Sequence, residues 1–283
     1  MVSRNTGRYA QSQGLILLEA ATKEFGPIFT IEQVEPLATG LQISQPQLRW
    51  LLSSLTRSGW LETLKRGTYA ARSTLFANDV SPFAVTAALV QPCAISHWSA
   101  LEHHGFTTQI PMVVQASTPR KVVTPEMRKG HANRPRGRAV WKALGIEVEF
   151  IHVQMKHFFG HQKIWANSWQ QVAITDPERS LLDLIARSDI FGGFSTAAEM
   201  LEGALGQIQP DRLVTYTLQY QVGAVVKRMG WLLEQLEIPA EIIAPLLTYP
   251  VTNYYRLEPQ GSNSGRAISR WRIIDNLRRP IHA

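Results

Sequence analysis

The 283-residue chain has almost no cysteine and lacks long apolar runs. Cys93 is its single cysteine, which excludes an internal disulfide and any zinc site built from several thiolates. No apolar stretch approaches the roughly 20 residues that a membrane-spanning helix needs. Residues 1–5 are polar and do not resemble the apolar core of a signal peptide. Together these absences predict a cytoplasmic protein.

Motifs for small-molecule and metal chemistry are also missing. The sequence has no glycine-rich loop of the kind that cradles a phosphate, so neither ATP nor a dinucleotide is expected. His157 and His161 are four residues apart, as zinc ligands on a helix would be, but Gly160 between them favours a loop. We therefore expect no cofactor, no bound metal and no enzymatic activity.

The chain instead has an excess of positive charge. Its formal net charge is +7 and its isoelectric point is near 9.7, which suits a polyanionic partner. With 45% hydrophobic and 18% charged residues, the composition is that of a globular protein.

The first 80 residues show the pattern of a winged helix-turn-helix. An apolar-periodic helix ends at Gly26, a second helix begins at Thr30 and ends at Gly40, and a third covers residues 44–58. Residues 60–64 and 68–71 alternate like two short strands around a basic turn. Three helices followed by such a hairpin place one helix in the major groove of DNA and a wing beside it. We assign residues 1–80 to this DNA-binding domain.

The third helix supplies the candidate DNA-reading side chains. Ser44 is its expected N-cap, Pro46 lies in its first turn, and a leucine stripe (Leu48, Leu51, Leu52 and Leu55) predicts its buried face. Glutamine and arginine pair with base edges, and serine and arginine also bind phosphates. The alternatives are a solvated helix face and a protein-binding surface. The candidate DNA-binding residues are Gln45, Gln47, Arg49, Trp50, Ser53 and Arg57 on the helix and Lys65 and Arg66 in the wing.

A second basic region lies between residues 120 and 142, where Glu126 is the single acid. Glycines and prolines interrupt it, which predicts an exposed loop or extended arm. Its density of one sign of charge favours a polyanion contact about as much as a solvated surface. The arm residues are Arg120, Lys121, Arg128, Lys129, Arg134, Arg136 and Arg138.

The remainder of the chain predicts a second, larger domain over residues 81–283, after a turn signal at residues 78–82. Alternating or apolar runs at residues 112–116, 146–151 and 171–174 predict strands, and an apolar helix follows Asp176. The predicted fold class is therefore α+β, with an N-terminal winged helix-turn-helix and a larger mixed α/β domain.

Several short motifs resemble those of the AbiEi-type antitoxins, which are transcriptional regulators of bacterial type IV toxin–antitoxin phage-defence systems. The resemblance covers roughly residues 10–275 in the expected order, and the basic segment 120–142 departs from it. It implies a repressor that binds inverted repeats in its own operon promoter and counters a nucleotidyltransferase-type toxin, without a stable complex between the two. The motif residues are Arg66-Gly67-Thr68-Tyr69, Ile95-Ser96-His97-Trp98-Ser99-Ala100-Leu101, His104-Gly105-Phe106-Thr107, Gln109 with Pro111, and Asp176-Pro177-Glu178-Arg179-Ser180-Leu181-Leu182-Asp183.

Two other functions stay open. In the first, a winged helix targets a DNA nuclease whose metal is held by Glu147, Glu149, Asp176 and Glu178. In the second, the C-terminal domain directly sequesters a protein partner. Asp176 is also a natural N-cap, with Pro177 next to it and Glu178 at the positive helix end. Ser96 is likewise expected to be an N-cap rather than a nucleophile.

Overall fold

The computed structural model describes residues 3–72, 80–130 and 138–277, with side chains from residue 13 onward. It is a mixed α+β structure, which confirms the predicted class at this level. The elements in chain order are α1 Ser3–Phe25, β1 Ile28–Thr30, α2 Ile31–Gly40, α3 Gln45–Arg57, β2 Leu61–Lys65, β3 Thr68–Ala71, α4 Pro82–Leu89, β4 Ala94–Ile95, α5 Trp98–His103, β5 Val114–Thr118, α6 Pro125–Arg128, β6 Arg138–Ala143, β7 Ile146–His152, β8 His161–Trp165, β9 Gln171–Thr175, α7 Pro177–Ala186, α8 Phe194–Ala204, α9 Pro210–Tyr220, α10 Gly223–Gln235, α11 Ala240–Thr248, β10 Tyr255–Arg256, β11 Arg266–Ile268 and β12 Ile273–Asp275.

The chain forms two compact units, and each is made of separate segments. Unit 1 contains Met1–Cys93, Arg120–Phe150 and Lys163–Ala173, and unit 2 contains Ala94–Pro119, Ile151–Gln162 and Ile174–Ala283. This division differs from the linear boundary that we expected near residue 80, because later parts of the chain return to unit 1.

Unit 1 begins with three helices and a small antiparallel sheet. Their bounds agree closely with the predicted helices, and the sheet has the strand order β1-β3-β2. Strand β1 is an addition to the predicted hairpin, and its Ile28 is paired with Ala70 of β3. The apolar faces of α1, α2 and α3 close over this sheet, with Leu17, Val34 and Leu51 almost fully buried.

The start of α2 shows why the chain turns where it does. The Thr30 side chain accepts a hydrogen bond from the Gln33 backbone N–H at 3.3 Å, and the Thr30 backbone N–H donates to the Gln33 side chain at 2.8 Å. This reciprocal capping box satisfies two N–H groups that a helix end leaves without partners. The predicted beginning of the second helix at Thr30 is therefore confirmed.

Hydrogen bonds within unit 1 join its N-terminal helices and sheet to segments beyond residue 80. Each bond uses one side chain and one backbone group. They run from Lys65 Nζ to the Leu89 carbonyl (3.1 Å), from the Leu144 N–H to Glu62 Oε1 (2.9 Å) and from Gln170 Nε2 to the Ile28 carbonyl (2.8 Å). A cut at residue 80 would leave these buried or half-buried groups without their partners. Whether residues 81–283 fold alone therefore stays a prediction.

Part of the basic segment 120–142 is a strand rather than the loop that we expected. β6 and β7 are neighbouring strands, and Leu144 and Gly145 between them both have positive φ, as a tight hairpin turn requires. Arg138 in β6 donates to both carboxylate oxygens of Glu149 in β7, at 2.8 and 2.6 Å. Cross-strand charge pairs of this kind stabilise a hairpin, which accounts for the strand here.

Unit 2 combines a few short strands with a helical core. β4 is paired antiparallel with β5 and parallel with the end of β9, through Ile95 and Ile174. Helices α7 to α11 pack around one apolar cluster that includes Leu182, Phe194 and Trp271. A second small sheet, with the order β10-β12-β11, follows the helices. None of the helices in the described part of the chain has the length and apolarity to cross a membrane.

Gly230 in α10 provides a sharp test of this packing. A Cβ at this position would lie 2.1 Å from Cζ3 of the fully buried Trp271, whereas a Cβ at Gly203 in α8 would have no neighbour within 4 Å. In a helix interior, alanine is favoured over glycine by about 1 kcal/mol. We expect Gly203→Ala to be neutral or stabilising in urea unfolding, and Gly230→Ala to be destabilising by about 1–3 kcal/mol because of overpacking. Equal effects of the two substitutions would contradict this packing.

Candidate nucleic-acid interface

The residues at the start of α3 favour the beginning of a helix there. Ser44 occupies the N-cap position with extended dihedrals, as expected, and Pro46 lies in the first turn. The predicted N-cap position is confirmed, but the Ser44 side chain makes no capping hydrogen bond. Proline is favoured in a first turn because its missing N–H would have no helical partner there.

The two faces of α3 differ completely in burial. Its leucine stripe is 1–3% exposed and packs in the core of unit 1. The opposite face exposes Trp50, whose exposed fraction is 48%, and it also exposes three polar residues. The polar residues are Arg49, Ser53 and Arg57. The structure thus brings these four candidates together on one side of the helix.

The two candidate glutamines are already engaged within unit 1. Gln45 is exposed and its amide donates to Glu35 Oε1 at 3.3 Å. Gln47 is half-buried and its amide donates to Gln13 Oε1 on α1 at 2.9 Å. Gln47 therefore lies beside the leucine stripe, where its amide joins two helices. The candidate interface therefore consists of the other α3 residues.

The two basic residues of the β2–β3 turn have different surroundings. Lys65 is half-buried and donates to the Leu89 carbonyl, and burial lowers the pKa of its ammonium group. Arg66 is exposed at the turn, where Gly67 has a φ of +75°. Of the two predicted wing residues, Arg66 therefore has the more exposed side chain.

The basic segment 120–142 separates into paired and exposed cations. Arg138 is bound to Glu149, and Lys142 Nζ lies 3.0 Å from Glu147 Oε2. Arg120, Lys121, Arg128 and Lys129 are exposed. Arg134 and Arg136 lie outside the described residues. The prediction of an exposed loop or extended arm is therefore wrong at the C-terminal end of the segment, where Arg138 lies in the β6–β7 hairpin.

The carboxylates considered for a nuclease metal each have a protein partner. In unit 1, Glu147 and Glu149 pair with the β6 cations just described. In unit 2, Asp176 caps α7 by accepting from the Arg179 N–H at 2.9 Å, as expected, and Glu178 Oε1 accepts from the Gln209 N–H at 3.1 Å. Among the described residues, no group of three or more His, Cys, Asp or Glu is arranged to hold a metal ion. These contacts give the nuclease alternative no support.

Ser96 is not the N-cap that we expected. His97 occupies that position, with φ +55°, and α5 begins at Trp98. Ser96 Oγ instead lies 2.8 Å from His97 Nδ1 and 2.9 Å from Ser117 Oγ. All three side chains are at most 2% exposed, so this Ser–His pair is part of the interior of unit 2. The position of Ser96 depends on its contact with Ser117 in β5, and the residues next to Ser96 in the sequence do not indicate this contact.

A buried charged cluster in unit 2 surrounds Arg179, which is 1% exposed. Its guanidinium donates to Asp183 Oδ1 at 3.1 and 2.8 Å and to the carbonyls of His157 and Phe159 at 2.6 and 3.1 Å. The Asp176 carboxylate accepts from Tyr216 and also pairs with an arginine of α9. This cluster was not predicted from the sequence, although the i, i+4 spacing of Arg179 and Asp183 is a local signal for their ion pair.

His161 at the start of β8 makes this cluster sensitive to pH. Burial, together with the nearby positive charge of Arg179, lowers the pKa of His161 to about 4. Because the unfolded chain takes up a proton on this group at about pH 6.5, the folded state loses stability as pH falls from 6.5 towards 4. Replacement by glutamine removes this proton uptake.

We expect His161→Gln to show a smaller loss of unfolding free energy between pH 6.5 and 4 than the parent protein, measured by urea unfolding. The exposed His152→Gln serves as a control for loss of a histidine. An unchanged pH dependence in His161→Gln would contradict the lowered pKa.

Comparison with known proteins identifies a similar fold. No protein-family model and no curated protein matches the chain. Among solved structures, it is similar to the crystal structure of the RV2827C protein from Mycobacterium tuberculosis, with a TM-score of 0.59 and 17% sequence identity. The similarity covers 94% of this chain and 92% of that one. At this identity the two proteins share a fold, and the resemblance to AbiEi-type antitoxins stays a prediction.

Proposed function

We propose that the chain is a DNA-binding protein whose helix α3 enters the major groove of duplex DNA. The observation that carries the proposal is the exposed face of α3, where Arg49, Trp50, Ser53 and Arg57 lie opposite a fully buried leucine stripe. A helix that presents two arginines and an aromatic side chain to solvent matches the chemistry of base edges. The order of helices and β-hairpin in unit 1 supports the proposal, because a winged helix-turn-helix is expected to have its elements in this order.

Each exposed side chain has a role in this proposal. Arg49 and Arg57 would pair with guanine edges or phosphates, Ser53 would contact a phosphate, and the Trp50 ring would contact thymine methyl groups. Arg66 would contact the backbone or the minor groove from the wing turn. Lys65 has a smaller part, because its ammonium group is held by the Leu89 carbonyl.

The experiment is a mobility-shift titration of the full chain against the duplex from immediately upstream of its own gene. An unrelated duplex of equal length and base composition is the control, and both are measured at the same salt concentration. We expect tighter binding to the upstream duplex, by roughly a thousandfold or more if the site is specific. Equal binding would contradict sequence recognition, and no binding to either duplex would overturn the proposal.

We further propose that the protein represses its own operon and acts as the antitoxin to a nucleotidyltransferase-type toxin in phage defence. The resemblance to AbiEi-type antitoxins supports this. In the Asp176–Asp183 motif, the charged side chains contact one another and nearby backbone, so these residues of the motif also stabilise unit 2.

Co-expression with the neighbouring gene product tests the antitoxin proposal. We expect the full chain to restore growth of cells that express the toxin, without co-purifying with it. Restoration accompanied by a stable complex would favour direct sequestration. Failure to restore growth, with both proteins expressed, would overturn the antitoxin assignment and leave the DNA-binding proposal standing.

A further inference from the structure

The short helix α6 and its flanks give unit 1 a second exposed basic surface. Over residues 120–130 the cations are Arg120, Lys121, Arg128 and Lys129, and the single acid is Glu126. Four positive charges minus one negative charge give this segment a net charge of +3. Such a density of one sign on a short exposed segment is complementary to a polyanion.

Residues within this segment stabilise α6. Thr124 is fully buried, and its hydroxyl accepts a hydrogen bond from the Met127 N–H at 3.3 Å, which caps α6. Pro125 occupies the first turn. The buried threonine therefore anchors the helix, and Arg128 and Lys129 extend from its C-terminal end into solvent.

The cations of segment 120–142 differ in how far protein carboxylates already neutralise them. Arg138 and Lys142 are paired with Glu149 and Glu147. Lys121, Arg128 and Lys129 form no ion pair with any residue in the described ranges 3–72, 80–130 and 138–277. Their charge is thus available for phosphates. The lysine ammonium groups on flexible side chains and the arginine guanidinium suit contacts with the DNA backbone more than base reading.

We infer that Lys121, Arg128 and Lys129 form a second DNA-contacting surface of unit 1, which binds backbone phosphates without reading sequence. This inference rests on the proposed DNA binding by α3, which belongs to the same compact unit. It assigns additional affinity and part of the salt dependence to Lys121, Arg128 and Lys129, and sequence discrimination to α3. Duplex DNA is the partner because it is the polyanion that the α3 face fits.

The test compares salt dependence in two variants that each lose three positive charges. The first is Lys121→Gln/Arg128→Gln/Lys129→Gln. The control is Lys156→Gln/Arg266→Gln/Arg270→Gln, which removes exposed cations from unit 2. Binding of the full-length proteins to the upstream and unrelated duplexes is measured between 50 and 300 mM salt (on the order of the range over which counterion release is resolved).

We expect the first variant to lose about two to three units of slope in log K against log salt, since each phosphate contact contributes about 0.9. Its ratio of affinities for the two duplexes should stay unchanged, and the control should keep the parent slope. An unchanged slope, an equal loss in the control, or a change in the affinity ratio would each overturn the inference while leaving α3 binding intact. If the parent protein binds neither duplex, the proposed function fails and this inference fails with it.

Discussion

Replacement of Arg49 and Arg57 by alanine together should lower affinity for the upstream duplex at least about thirtyfold, because each bidentate base contact contributes ~1–3 kcal/mol. Both side chains are exposed on the face of α3 opposite Leu48 and Leu52. Their removal should leave the core of unit 1 intact. We therefore expect the loss of binding without a change in thermal unfolding.

A matched control separates this effect from a change in net charge. Arg266→Ala/Arg270→Ala removes the same charge from exposed positions in unit 2. We expect it to retain the parent affinity for the upstream duplex to within a few fold. Unchanged affinity in the α3 variant, or an equal loss in the control, would show that α3 is not the reading helix. A lowered unfolding temperature of the α3 variant would point to its fold instead.

Sequence signals were sufficient where a local contact decides the structure. The capping box at Thr30, the leucine stripe of α3 and the Asp176 cap are all made by residues within one or two helical turns. Their spacing alone therefore predicts the element and its buried face. The exposed face of α3 follows from the same spacing, since a helix that buries one stripe must expose the opposite one.

Sequence signals were insufficient where a distant part of the chain decides the local structure. Ser96 is held by Ser117 across a strand pair, and its expected role as a cap is lost because His97 adopts a positive φ. Gln47 is turned towards Gln13 by the packing of α1 on α3. Neither contact produces a residue spacing typical of a helix or a strand, so neither could be predicted from the local sequence.

The β6–β7 hairpin is an intermediate case. Proline, glycine and basic residues dominate segment 120–142 and favour a loop, and this composition hid the strand at Arg138. The pattern of paired charges was nevertheless readable, because Glu147 and Glu149 alternate along a strand that faces Lys142 and Arg138. The composition of the segment favours a loop and the cross-strand charge pairs favour a strand, and the structure follows the charge pairs.

The second prediction with a large effect concerns the buried Arg179–Asp183 pair of unit 2. Their side chains are 2% and 3% exposed, and the Arg179 guanidinium also lies 4.8 Å from the centre of the Phe159 ring. Removal of one partner of a buried ion pair leaves the other charge uncompensated, which costs ~3–5 kcal/mol. We expect Arg179→Met to lose this much unfolding free energy in urea titrations.

Two further variants make the test specific. Arg187→Met breaks the exposed pair with Asp189, whose side chains are 28% and 43% exposed, and should cost no more than about 1 kcal/mol. Arg179→Met/Asp183→Leu removes both buried charges, so its loss should be smaller than the sum of the two single losses. It should not return to the parent stability, because the carbonyls of His157 and Phe159 also lose their donor. Additive losses, or an Arg179→Met variant as stable as Arg187→Met, would mean that the buried Arg179–Asp183 pair does not contribute the expected stabilisation to unit 2.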